Sequence, residues 1–135
     1  MIDAFLVPEK TVITVKGDSA ALDVSSSANR TFLLTFSING VVEQESIEVS
    51  IFTSADGTTW DAKPVVTLPQ KFYVGDYPIL VDLTATPDAR FVRAHWEVNR
   101  WGRGPNNARF EVSMRLREIP PDLLHEARAE ALSLR

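Results

Sequence analysis

Alternation of apolar and polar positions dominates this chain. In "TFLLTFSI", Phe32, Leu34, Phe36 and Ile38 fall on one side and Thr31, Leu33, Thr35 and Ser37 on the other. A period of two is the signature of a half-buried strand. "SIEVSIFT" repeats it, with Ile47, Val49 and Ile51 inward and Glu48 and Ser50 outward, and "YPILVDL" sets Ile79, Val81 and Leu83 against Leu80 and Asp82. "FVRAHWEV" places Val92, Ala94, Trp96 and Val98 opposite Arg93, His95 and Glu97, and "RFEVSMRLR" places Phe110, Val112, Met114 and Leu116 opposite a largely charged face. The β-branched content of these runs suits a pleated surface. The first two runs are expected to pair as antiparallel neighbours, and the last two to form the arms of one hairpin. Asn39-Gly40 offers a tight turn, but the register it sets would carry Glu43 and Glu45 onto the face of Ile47 and bury two carboxylates, so a longer loop from Asn39 to Glu45 is expected.

Turn chemistry separates the runs. In "SADGTTW", Asp56-Gly57 signals a hairpin turn, after which Trp60 resumes a strand that Pro64 shortens or confines to an edge. "NRWGRGPNN" forms the tip of the last hairpin, with Gly102 and Gly104 free to take positive φ and Pro105 stiffening the return. After Pro120 and Pro121 the period changes: "DLLHEARAEALSLR" offers Asp122 as a cap and a stripe of Leu124, Ala127, Ala131 and Leu134. A helix of about thirteen residues is marginal alone in water, so it docks on its own sandwich, docks on a partner, or frays. Up to about eight strands without crossover helices predict an all-β fold, an antiparallel, jelly-roll-like β-sandwich with a short C-terminal α-helix. The expected organisation is a sandwich over residues 1–119 and a helical tail over 120–135.

Composition narrows the function classes. The 135 residues suit one domain, and the absence of cysteine removes disulfides, thiolate metal sites and a cysteine nucleophile. The opening, Met1 to Lys16, holds Asp3, Pro8, Glu9 and Lys10 without a long apolar run, so neither a signal peptide nor a membrane span is expected and the chain reads as made in the cytoplasm. A net charge of −4 argues against general nucleic-acid binding. Charge is nonetheless segregated: Arg90 to Arg117 carries seven arginines against Glu97 and Glu111, whereas residues 1–89 are strongly acidic. This fits solvated strand faces, unlike patches meeting between neighbouring subunits, or attraction of an anionic ligand.

Catalytic patterns are missing from the sequence. His95 and His125 are the only histidines, no GxSxG elbow is present, and no HxH, HExxH or DxDxDG spacing occurs. The expectation is a non-catalytic protein with no metal and no cofactor. "SADGTTW" approaches the aspartate-box hairpin of propeller proteins, but it lacks a residue between Asp56 and Gly57 and occurs once, so it reads as a structural turn.

The ordered run "ALDVSS", "TFLLTFSI", "IEVSIFTSADGTTW", "YPILVDLT", "ARFVRAHWEV" and "FEVSMRL" resembles small all-β structural proteins of tailed-phage and prophage virions, over about residues 20 to 117. That resemblance implies a protein that assembles with itself or with a larger shell or tail. "SADGTTW" and "ARFVRAHWEV" are also similar to discoidin (coagulation factor 5/8 type C) domains, which implies a jelly roll binding glycans or lipid headgroups through loops at one end; this chain departs from them in lacking a cysteine pair and the usual N-terminal strand set. Two readings therefore stand. In the first, the chain is an interaction protein, a homo-oligomer or part of a larger assembly, whose interface draws on Arg93, His95, Arg115 and the helical stripe Leu124, Ala127, Ala131 and Leu134. In the second, it is a module for a glycan or other anion, with Trp101 as stacking platform and Arg100 and Arg103 as donors.

Overall fold

In the computed structural model, residues 1–42, 44–102, 108–120 and 123 are described. They form nine strands: β1 (Asp3–Ile13), β2 (Gly17–Asp18), β3 (Leu22–Asp23), β4 (Thr31–Val41), β5 (Glu45–Ser54), β6 (Val66–Thr67), β7 (Gly75–Asp82), β8 (Phe91–Arg100) and β9 (Phe110–Glu118). One antiparallel sheet has the order β1-β9-β4-β7; the other has β2-β8-β5-β6, with β3 also on β8. No helix long and apolar enough to cross a membrane occurs among the described residues. The expected helix, with Leu124, Ala127, Ala131 and Leu134, lies outside the described residues.

The alternating positions do what their period demands. Phe32, Leu34, Phe36 and Ile38 of β4, Ile79 and Val81 of β7, and Phe110, Val112, Met114 and Leu116 of β9 are at most 1 % exposed, and they meet Ile47, Val49 and Ile51 of β5 and Val92 and Ala94 of β8 in one cluster. The two sheets thus share a single core, which is the organisation of a sandwich.

Pairing differs from the expectation in two places. β4 and β5 are not neighbours: β4 pairs with β7 and β9, and β5 with β6 and β8. The chain instead crosses from one sheet to the other between Val41 and Glu45. β8 and β9 are likewise not a hairpin, since β8 lies beside β5 and β9 lies between β1 and β4. "NRWGRGPNN" is therefore a corner between sheets rather than a hairpin tip, and its residues 103–107 lie outside the described set. A buried face on each sheet is satisfied equally by a hairpin and by a corner, so the period specifies the face but not the partner.

Smaller differences have local causes. β4 extends through Asn39 and Gly40 by a register shift between Ile38 and Gly40, which leaves a short connection rather than a loop from Asn39. Trp60 does not open a strand: Asp61 after it donates a single backbone N–H to the Thr53 carbonyl at 3.0 Å, and the edge strand β6, on Ser50 and Ile51, forms only beyond Pro64. β1 pairs along β9 despite two register shifts between Phe5 and Thr11, around Pro8 and a Lys10 at φ +63°.

Candidate functional site

The two ends of the sandwich are built differently. At the end holding the β3–β4, β5–β6 and β7–β8 connections, polar groups close on one another. The Arg30 guanidinium donates to the carbonyls of Thr86 at 2.8 Å and Ala89 at 2.7 Å. Glu118, 6 % exposed, accepts the Ile2 N–H at 3.1 Å. The Asp56 carboxylate accepts the N–H groups of Thr58 and Thr59 at 2.9 and 2.8 Å, while the Ser54 hydroxyl donates to the Thr59 carbonyl at 2.6 Å. These hydrogen bonds hold the Asp56 carboxyl at about 2; the Thr59 N–H contributes most, then those of Thr58 and the Ser54 hydroxyl.

The opposite end is apolar. Of nine exposed large hydrophobic side chains among the described residues, Val15, Phe72, Tyr73, Val74 and Trp101 all lie in its connections. Phe72 meets Trp101 edge to face at a centroid distance of 6.0 Å and Tyr73 at 6.2 Å. With Val41, Val42, Gln44 and Glu45, these three rings line a cavity of about 340 Å³. Tyr73 is 74 % exposed and Trp101 54 %, so both rings present faces to solvent.

Underneath, the loops are fixed by buried polarity. Glu45 is 1 % exposed, and its two carboxylate oxygens accept the backbone N–H of Val42 at 2.8 Å and of Arg109 at 2.6 Å. One inward carboxylate therefore ties the β4–β5 crossing to the β8–β9 corner, the situation that sequence reasoning sought to avoid for Glu45. Gln44, at φ +61°, accepts the Trp101 N–H on its carbonyl at 3.0 Å. Gly102 does not take positive φ; a side chain there would approach the Gln44 Oε1 at 2.8 Å, so its use is close approach. Arg100 is half-buried opposite Glu45 in the register and is engaged within the chain. Arg103 lies outside the described residues.

The remaining sequence candidates lie on two opposite outer faces. Arg115, on the first sheet, grips Asp3 through Nε at 2.8 Å and Nη2 at 2.6 Å. Arg93 and His95 lie on the second sheet. Arg93 stacks on Trp60 at 4.3 Å and comes within 3.7 Å of Asp18, and His95 Nδ1 is 2.8 Å from the same Asp18. Strands β1 and β2, from the acidic part of the sequence, run beside β9 and β8, so that two acids of that part, Asp3 and Asp18, meet Arg115 and Arg93 within one molecule. The other His95 nitrogen faces Glu97 at 3.4 Å rather than a hydroxyl. Among the described residues no group of three or more His, Asp or Glu side chains gathers as metal ligands. The aromatic trio was missed as a unit in the sequence, because Phe72 and Tyr73 lie almost thirty residues before Trp101 and outside any alternating run.

Comparison with protein-family models, curated proteins and solved structures finds no match for this chain.

Proposed function

We propose that this chain is a non-catalytic jelly-roll sandwich that acts as a structural or interaction protein, assembling with copies of itself or a larger protein complex through its aromatic end. The strand order supports the jelly roll: β1-β9-β4-β7 faces β2-β8-β5-β6, and most connections pass from one sheet to the other, as in two wrapped Greek keys. The observation that carries the assembly reading is the concentration of Phe72, Tyr73, Val74 and Trp101 at one end while the other is closed by hydrogen bonds. Aromatic residues clustered over a rigid base make the centre of many protein interfaces. The resemblance to virion proteins agrees with this use.

Light scattering tests it. The native mass is expected well above the 15.0 kDa of one chain, and a Tyr73→Ala, Trp101→Ala double variant is expected to move it towards that value. A monomer at every concentration, unchanged by the double variant, overturns self-assembly. The second reading is a glycan- or anion-binding module, favoured by the exposed faces of Tyr73 and Trp101 beside a concave floor. There, Trp101→Ala abolishes binding to a glycan or polyanion panel without changing the native mass.

A further inference from the structure

We infer that a polar cleft on the outer face of the first sheet, under an arch of β1, is a binding site for a neutral polyhydroxylated ligand such as a single sugar unit. The arch follows from the register. Val7 pairs with Met114 and Thr11 with Val112, so Pro8, Glu9 and Lys10 stand against Ser113 alone. The Thr11 hydroxyl donates to the Pro8 carbonyl at 2.7 Å and closes the arch, within which Lys10 takes φ +63°. Residues other than glycine seldom keep that conformation, and strain of this kind collects at ligand sites. On the other side of β9, Ser113 pairs directly with Ser37 of β4, and the Glu111 side chain lies over Gly40, where a Cβ would come within 3.6 Å of its Oε2. Glu9, Lys10, Ser37, Asn39, Glu111 and Ser113 line the resulting cleft of about 380 Å³.

The polar groups of this cleft are unspent. None of the six side chains has a hydrogen-bond or ion-pair partner among the described residues. Ser113 is only 7 % exposed, and a hydroxyl buried to that degree is normally bonded, so its one outlet is whatever enters the cleft. Charge then selects the ligand. A lone cation meets the Lys10 ammonium and an anion meets the Glu9 and Glu111 carboxylates, so each sign is opposed. What suits all six groups is a neutral molecule whose polar atoms both donate and accept. The carboxylates take its O–H protons, the ammonium donates to its oxygens, and the two hydroxyls and the amide do either. That is the chemistry of a polyol, and the volume, at the small end of ligand sites, has room for one sugar ring. None of the six residues lines the aromatic cavity, so the inference stands apart from assembly through that end.

Titration of the isotope-labelled full chain with glucose, galactose, mannose and N-acetylglucosamine in turn, followed by amide chemical shifts, tests the site. At least one sugar is expected to shift the amides of residues 9–11, 37–40 and 111–113 saturably. Ser113→Ala and Glu111→Gln, neither of which adds bulk, are each expected to raise the dissociation constant about tenfold. Asn39→Ala, at an exposed position, repeats the measurement if Ser113→Ala fails to fold. Trp101→Ala is expected to leave the affinity unchanged. The absence of a saturable shift at the cleft with every sugar overturns the inference. So do shifts centred on Tyr73 and Trp101 that vanish in Trp101→Ala, which would assign the sugar to the aromatic end, and saturation of the cleft by calcium chloride or sodium phosphate in place of the sugars.

Discussion

Glu45 and Arg109, 64 residues apart, are joined by a buried carboxylate accepting a backbone N–H at 2.6 Å, and the same carboxylate holds the Val42 N–H at 2.8 Å. Removing it orphans two donors at the base of the aromatic end. Each buried unsatisfied group costs about 1–3 kcal/mol. Both donors are only part-buried, so Glu45→Ala is expected to destabilise towards the lower end of the combined range, by about 2–4 kcal/mol, and Glu45→Gln, which keeps one carbonyl acceptor, by less. Urea unfolding measures both, and hydrogen exchange is expected to rise at residues 42, 44 and 101 before the strands respond.

Acid is expected to weaken the fold. Asp56 is lowered to about 2, chiefly by the Thr59 N–H, and Asp3 is lowered chiefly by its hydrogen bond from Arg115. Burial pushes Glu118 up, but hydrogen bonds from the N–H groups of Ile2, Asn29 and Ala28 and from the Ser27 side chain together leave the group lowered. A folded-state value below the unfolded one gives stability that is complete above the unfolded value and disappears as pH falls through the folded one. Stability is thus expected to drop between about pH 4 and pH 2. Asp56→Asn, which cannot titrate, is expected to flatten that slope in denaturant titrations across the range.

The faces of the strands were legible and their partners were not. Phe32 to Ile38, Ile47 to Ile51, Ile79 to Leu83 and Phe110 to Leu116 point inward as the period of two requires. Nothing in that period distinguishes a hairpin from a crossing between sheets, and the short link from Val41 to Glu45 suits either. β1 was unread because Pro8 and two register shifts break its alternation. For the candidate site, Trp101 was found from its loop composition, whereas Phe72 and Tyr73 join it only through the topology that brings the β6–β7 and β8–β9 connections to one end.

The Asp56 turn depends on its glycine. Gly57 sits at φ +83°, and a side chain there would lie 3.4 Å from the Phe91 ring. The left-handed conformation costs a residue with a Cβ roughly 1–2 kcal/mol. Gly57→Ala is expected to destabilise by about that amount, measured by thermal unfolding, and Gly57→Asn by less, because asparagine tolerates this conformation. Neither is expected to alter the native mass, since the turn lies at the closed end.

Charge exchange separates intramolecular pairing from contact between copies. Arg115 meets Asp3 through two parallel hydrogen bonds 112 residues apart in sequence, which fixes the start of β1 against β9. Arg115→Asp places two like charges together and is expected to lower the melting temperature. Asp3→Arg is expected to do the same. The double variant, which restores opposite charges in exchanged positions, is expected to recover most of the loss, and the loss in the single variants is expected to shrink as salt is raised. If Arg115 instead served an acidic patch on a neighbouring copy, the single reversal would change the native mass while the exchange with Asp3 failed to restore the melting temperature. Thermal unfolding and light scattering on the four proteins decide between these outcomes.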